Sequence, residues 1–141
     1  MDISAQPMLR FQGVNILRID FNARKKYDNE TPIDLNVQPQ VFYPKDSPDN
    51  FHILMDVSLI CEGFFSLKML ALGIFELGSE ANNDDLKKNF VNSNAPAIMF
   101  PYVRSFISTL TANIGNVTGA LTIPTQFFQG DIPEIKNYEE Q

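Results

Sequence analysis

An apolar residue at every second position over two segments is the feature that most limits what this chain can fold into. In residues 33–41 every odd position is apolar and every even position is polar, and residues 51–61 keep the same odd-numbered apolar row. A period of two is typical of a strand with one face against a core. Pro39 lacks a backbone N–H, so it indicates that the first strand lies at a sheet edge or contains a bulge.

Two further segments complete a predicted four-stranded sheet. The first strand has its apolar side chains on odd positions, at Phe11, Leu17, Ile19, Phe21 and Ala23. The last strand follows Gly63 and runs from Phe64 to about Leu77. Because the connections are of hairpin length, we predict an antiparallel meander.

The predicted fourth strand is apolar on both faces. After the polar Ser66 and Lys68, the even positions Leu70, Leu72 and Ile74 become as apolar as the odd positions. One face can pack on a helix of the same chain, whereas the other face needs a different cover. A second subunit is the simplest cover, so we expect a homo-oligomer.

The second half of the sequence predicts helices. Asp84 and Asp85 are suited to open a short helix that ends near Asn92, and Asn94 is suited to cap a longer helix that Gly115 ends. We therefore predict an α+β fold in which a four-stranded antiparallel sheet packs on one long helix.

Other residues mark the limits of this fold. Pro101 predicts a kink or a late start of the long helix. The tail from Gly130 onward is polar, and we expect it to be frayed. The prediction is one domain over residues 1–141, with its core over about residues 9–128 and a polar tail over residues 129–141.

Composition narrows the class of protein. The 141 residues include 44% hydrophobic residues, which is enough for a real core, and the net charge of −6 argues against a nucleic-acid partner. Cys61 is the single cysteine, so no intrachain disulfide forms and a reducing cytoplasm is the expected location. Residues 1–7 do not resemble a secretory signal, and no apolar run is long enough for membrane insertion.

The sequence offers little catalytic chemistry. His52 is the single histidine, and it alternates with strand residues, so it is expected at a surface or an interface. Cys61 lies in the apolar row of the same strand, which favours an inert buried thiol. We therefore predict no enzyme activity, no metal site and no cofactor. The apolar surplus is either a groove for extended apolar segments or simply core and oligomer interface.

Several short segments carry a resemblance to a known family. Residues 94–104 read Asn-Ala-Pro-Ala-Ile-Met-Phe-Pro-Tyr-Val-Arg, which resembles the run that opens the long helix in the SecB family. Residues 73–75, residues 123–127 and the Gln38–Pro39 pair before Val41 also resemble SecB motifs. The resemblance extends in order from about residue 9 to residue 128.

The resemblance implies a SecB-like fold and function. SecB proteins are tetramers, built as dimers of dimers, that hold unfolded preproteins for the motor SecA without using ATP. By this resemblance, the groove that binds unfolded polypeptides draws on Val37, Val41, Phe42, Phe127 and Phe128. The corresponding oligomer interface draws on Met69, Ala71, Met99, Val103, Phe106 and Leu110.

The sequence departs from the SecB pattern where the family presents acidic residues to SecA. Asp20 matches one acidic position, whereas Arg24 and Lys68 stand where the other two are expected. Charge reversal predicts weak docking of SecA. Two alternatives therefore remain beside an export chaperone. One is a SecB-like chaperone of a toxin–antitoxin system, and the other is a structural or adaptor oligomer with one specific partner.

Overall fold

The fold is an antiparallel sheet followed by helices, and the computed structural model describes residues 9–78 and 84–137. The strands are β1 (Leu9–Ala23), β2 (Asp34–Phe42), β3 (Asn50–Cys61) and β4 (Phe65–Leu77). The helices are α1 (Asp84–Asn89) and α2 (Ala95–Ala112), joined by a π-helical turn (Phe90–Asn94). The predicted four-stranded antiparallel sheet with one long helix is confirmed.

The order of the strands corrects one part of that prediction. The sheet order is β1-β4-β3-β2, so β2, β3 and β4 form a meander while β1 pairs with β4 instead of β2. The connection from β1 to β2 crosses the end of the sheet, where the Arg24 N–H donates to the Phe64 carbonyl (2.8 Å) and the Tyr27 N–H donates to the Val117 carbonyl (2.8 Å). The arrangement is a Greek key, because three hairpin-connected strands are joined to a fourth by a longer connection.

Strand β1 is irregular, and this corrects its predicted apolar row. Its pairing with β4 shifts register twice, once beside Gly13 (φ 129°) and once between Ile16 and Arg18. Each shift resets which positions face the core, because an inserted residue reverses the alternation. Ile16 therefore packs against the core, whereas Leu17 is 45% exposed.

The core lies between one sheet face and α2. The odd-numbered row of β3, as predicted, is buried from Phe51 to Cys61. The Phe51 ring stacks on the Phe75 ring of β4, with 5.3 Å between centroids and planes only 9° apart. From α2, Met99, Val103 and Ile107 are completely buried against this face.

The start of α2 differs from its prediction, whereas its end lies near the predicted glycine. Asn94 does not act as a side-chain cap, because it has helical dihedral angles and the turn before it continues directly into α2. The helix starts at Ala95 and passes through Pro101, so a late start is excluded. It ends at Ala112, shortly before Gly115, whose φ of 81° takes the chain out of the helical region.

Candidate functional site

The segment that follows α2 is fixed along the helix by side-chain hydrogen bonds. The Thr111 hydroxyl is completely buried; it donates to the Ile107 carbonyl (2.7 Å) and accepts from the Leu121 N–H (2.8 Å). The Ser108 hydroxyl donates to the Leu121 carbonyl (2.7 Å). One turn earlier on the helix, Arg104 Nε donates to the Ile123 carbonyl (2.9 Å). These contacts direct residues 126–128 toward β2.

A groove of about 310 Å³ separates β2 from this segment. It is lined on one side by residues 37–40 and on the other by residues 126–129 and 131–133. Phe128 is anchored in its wall, because its ring meets the buried Phe100 ring edge to face at 5.7 Å. Phe127 is 92% exposed at the groove and presents a whole ring to the surface.

The β2 side of the groove is a sheet edge. Within the four-stranded sheet β2 has β3 as its one neighbouring strand, and Pro39 lies opposite Met55 in that ladder. A proline cannot donate to a ladder, so the main-chain groups at odd positions of β2 point away from β3. Val41 confirms this direction, since its N–H and carbonyl bond to the C-terminal segment. The main-chain groups of Val37 therefore also face the groove.

The structure brings together three of the five predicted groove residues. Val37, Phe127 and Phe128 all line the groove. Val41 has the same orientation, but it is buried (3% exposed) and pairs with the C-terminal segment. Phe42 lies on the opposite face of the sheet beside His52, with 5.8 Å between ring centroids, because it is one residue out of phase. Phe42 therefore does not line this groove.

Most of the predicted oligomer-interface residues lie in the interior of one chain. Four of these residues are buried inside a single chain: Met69, Ala71, Met99 and Val103. The reason is that β4 and α2 pack against each other through these positions. Phe106 and Leu110 are half-buried at the margin of this core.

The other sheet face has its own apolar cluster, as the two apolar faces of β4 predict. Leu54, Leu70 and Leu72 are 1–5% exposed there. Part of their cover is Ile135 of the C-terminal segment, together with the neighbouring Phe42. A second subunit is thus not needed to explain the burial of this cluster.

The C-terminal segment was expected to be frayed, and the structure shows otherwise up to residue 137. Residues 133–135 bond to Val41, and Ile132 and Ile135 pack against the two apolar clusters. Sequence reasoning missed this segment because its composition is polar. The available signal was the pair of isoleucines on either side of Pro133.

The predicted docking residues do not form one acidic surface. Asp20 of β1 lies directly opposite Lys68 of β4 in the ladder, and its carboxylate accepts a hydrogen bond from the Asn22 amide (2.7 Å). Arg24 follows the end of β1 and lines a separate depression with Phe64. The positive charge of Lys68 therefore stands beside the one matching acidic residue.

The titratable groups do not suggest catalysis. Burial raises the pKa of the Cys61 thiol, so the thiol stays protonated and unreactive. Burial and the negative charge of Glu134 raise the pKa of Tyr43. Within residues 9–78 and 84–137, no three His, Cys, Asp or Glu side chains come together as a metal site. No helix in this part of the chain is long and apolar enough to cross a bilayer.

Comparison with known proteins supports the fold. No protein-family model matches the sequence. An uncharacterized protein of Methanocaldococcus jannaschii is 28% identical over an alignment of 152 positions that covers 100% of this chain and 96% of that protein. The protein-export protein SecB of Orientia tsutsugamushi (strain Boryong) is 28% identical over 109 residues, covering 76% of this chain. The chain spans 65% of the length of that SecB.

A solved structure is similar to this chain in three dimensions. The Rv1957 SecB-like chaperone of Mycobacterium tuberculosis, solved in complex with a ChAD peptide from the Rv1956 HigA1 antitoxin, matches with a TM-score of 0.66 at 13% identity. The match covers 83% of this chain and 90% of that one. The protein thus has an α+β fold of the SecB type. The predicted resemblance to the SecB family is confirmed by the SecB relatives and this structure together. Neither name denotes an enzyme.

Proposed function

We propose that this protein is an ATP-independent holding chaperone that binds unfolded polypeptides as extended segments in the groove beside β2. The observation that carries the proposal is the combination of a sheet edge at Val37 with an exposed ring at Phe127 on the opposite wall. An extended client segment can pair its main chain with Val37 and place alternate side chains against the phenylalanine rings. Main-chain pairing suits a chaperone because it does not depend on client sequence.

Burial of apolar surface supplies most of the binding free energy in this proposal. Covering a phenylalanine side chain contributes roughly 1.5–3 kcal/mol. The Phe127 ring starts almost fully exposed, so a client that covers it gains nearly the whole of this contribution. Neither pairing nor burial requires a nucleotide or a metal. Release of the client then follows from the weakness of the individual contacts and does not require a chemical step.

Export of preproteins from the cytoplasm is the first candidate role, because the named relative is a protein-export protein. A specific observation also favours the second role, protection of an antitoxin in a toxin–antitoxin system. The structural neighbour is a SecB-like chaperone bound to an antitoxin peptide, and Lys68 here stands beside the acidic Asp20.

We propose that SecA docks weakly on the surface that carries Asp20 and Lys68. The positive charge of Lys68 lowers the attraction of this surface for a basic partner.

We also propose that the chain works as a homo-oligomer, with a tetramer as the expected state. Of the predicted interface, Phe106 and Leu110 are the residues still accessible at the surface of one chain. A tetramer would present several grooves to one client chain, and linked weak contacts raise overall affinity without new interactions. Sedimentation of the purified protein tests this state directly.

Aggregation of a slowly refolding polypeptide tests the holding function. The wild-type protein at equimolar groove concentration is expected to suppress light scattering, and Phe127→Asp is expected to lose most of this effect. Leu17→Asp is the matched control, because Leu17 is an exposed apolar residue on β1, at the other edge of the sheet. The sedimentation of the Leu17→Asp protein is compared with that of the wild type, so that a change of oligomeric state is recognised. Absence of suppression by the wild-type protein would refute the proposal.

A pull-down separates the roles. A general holding chaperone recovers many unfolded chains, an antitoxin chaperone recovers one antitoxin, and an adaptor recovers one folded partner. The last result would contradict the proposed function.

A further inference from the structure

The chain's own C-terminal segment occupies part of the sheet edge that borders the groove. The Val41 N–H donates to the Pro133 carbonyl (2.9 Å), and the Ile135 N–H donates to the Val41 carbonyl (2.8 Å). Glu134 is thereby paired with Val41 as a parallel bridge. The segment extends the sheet beyond β2 by one short pairing, which is the same kind of contact that an added client strand makes.

A side-chain clamp holds the start of this segment. Asn92, in the π-helical turn, donates from Nδ2 to the Asp131 carboxylate (3.1 Å) and accepts from the Ile132 N–H at Oδ1 (3.1 Å). The first of these bonds is exposed and the second is only partly buried, so water can replace them at small cost. The segment is therefore positioned at the edge without being locked there.

The same segment also covers apolar surface. Ile135 packs on the apolar cluster of the sheet face away from α2, in which Leu54 and Leu72 are at most 5% exposed. Because residues alternate in direction along an extended segment, Ile135 reaches this face while Glu134 lies on the other side near Tyr43. Removal of the segment would uncover a hydrogen-bonding edge and a leucine cluster side by side.

We propose that residues 131–137 are an internal competitor for the client site. Without a client they shield the β2 edge at Val41 and the cluster around Leu54. A client segment that extends past Val37 along β2 displaces them and takes over both contacts. This inference rests on the proposed holding function and adds its regulation. It also specifies the favoured client as an extended segment, parallel to β2, with an aliphatic residue where Ile135 now lies.

The tether explains why such a short segment can compete. A segment joined to its site by a few residues has an effective concentration in the millimolar range. Its occupancy lowers the apparent affinity of every client by the fraction of time that the site is covered. Shielding also removes an exposed edge, which otherwise invites pairing between copies of the chain.

The test removes the two contacts through which residue 135 holds the segment at the edge, its main-chain donor and its aliphatic side chain. Ile135→Pro deletes the N–H that bonds to Val41. Lys136→Pro is the matched control, since residue 136 is exposed and the two main-chain bonds to Val41 come from residues 133 and 135. The probe is a fluorescein-labelled, reduced and carboxymethylated polypeptide that stays unfolded, and fluorescence anisotropy measures its affinity for each full-length protein.

We expect Ile135→Pro to bind the probe roughly two- to tenfold more tightly than the wild type, with Lys136→Pro unchanged. Equal or weaker binding by folded Ile135→Pro protein would overturn the inference and leave the holding function standing. Failure of all three proteins to bind would instead overturn the proposed function itself.

Hydrogen exchange of the wild-type protein gives a second measurement that needs no variant. At saturating probe, the Ile135 amide is expected to exchange faster while the Val41 amide stays protected. Unchanged protection of Ile135 would also overturn the inference, even if Ile135→Pro did not fold.

Discussion

Phe127 and Phe128 are consecutive residues with opposite environments: the first is 92% exposed, and the ring of the second packs edge to face on buried Phe100 at 5.7 Å. An extended backbone produces this contrast, because neighbouring side chains point to opposite sides. One ring anchors the wall of the groove in the core. The other is left as contact surface.

This contrast predicts that the two residues separate stability from binding. Phe128→Ala is expected to lower the free energy of unfolding by about 1–3 kcal/mol, less than the 3–5 kcal/mol of a fully buried phenylalanine. Phe127→Ala is expected to change it by less than about 0.5 kcal/mol while weakening client binding roughly tenfold. Urea unfolding followed by circular dichroism and anisotropy titration measure the two effects. Equal loss of stability in both variants would contradict the assignment.

The contact between β4 and α2 makes a second prediction, at Gly73. A Cβ atom built on Gly73 would lie 2.9 Å from Met99 Sδ and 3.0 Å from the Phe75 ring, and both side chains are completely buried. Gly73→Ala is therefore expected to destabilise the protein by about 1–3 kcal/mol through overpacking. Unfolding in urea measures the cost.

A double-mutant cycle identifies the clash as its cause. In a Met99→Ala background the space around residue 73 is larger, so Gly73→Ala should cost less there than in the wild-type chain. The same cost in both backgrounds would show that Met99 is not the obstructing side chain.

Much of this fold could be predicted from sequence where the pattern records contact with the core. The row from Phe51 to Cys61 faces α2 as its alternation indicates, and both faces of β4 are buried. The row of β1 could not be predicted, since two register shifts near Gly13 and Leu17 reverse the alternation without leaving a clear sign in composition. The pairing of β1 with β4 depends on contacts between distant residues, which periodicity does not report.

Prediction of the candidate site from the sequence has the same limit, because a pattern does not report which distant residues meet. Val37, Phe127 and Phe128 follow from resemblance and do meet at one groove. Met69 and Met99, predicted at an oligomer interface, are buried within one chain. Sequence could not show this, because an apolar stripe looks the same whether it packs within a chain or between chains. The C-terminal pairing was missed because it uses the main chain of Val41, and main-chain groups are present in every sequence.

Thr111 provides a third prediction, on the segment that carries the groove wall. Its buried hydroxyl accepts from the Leu121 N–H (2.8 Å). Thr111→Val keeps the shape but leaves that N–H without its acceptor, which is expected to cost about 1–3 kcal/mol. Thr111→Ser retains the hydroxyl and serves as the control, with a smaller loss from the missing methyl group. Faster exchange of the Leu121 amide in Thr111→Val alone would confirm the cause, and equal exchange in both variants would contradict it.

Cys61 predicts a pH dependence on the alkaline side. Burial raises the pKa of its thiol, so the folded chain keeps the proton after the unfolded chain has lost it. A raised pKa contributes stability below the ordinary pKa of a thiol, about 8.5, and this contribution is lost as pH rises toward the folded value. The free energy of unfolding should therefore fall as the pH rises above about 8.5. Tyrosines and lysines also titrate there, so Cys61→Ala is the reference: it should be less stable at pH 7, because it lacks the buried sulfur, and should show a shallower decline. Parallel declines in the two proteins would show that the thiol is not the linked group.

The burial of Cys61 also predicts that a thiol reagent such as dithionitrobenzoate reacts slowly with the native protein at pH 8 and rapidly after unfolding in urea.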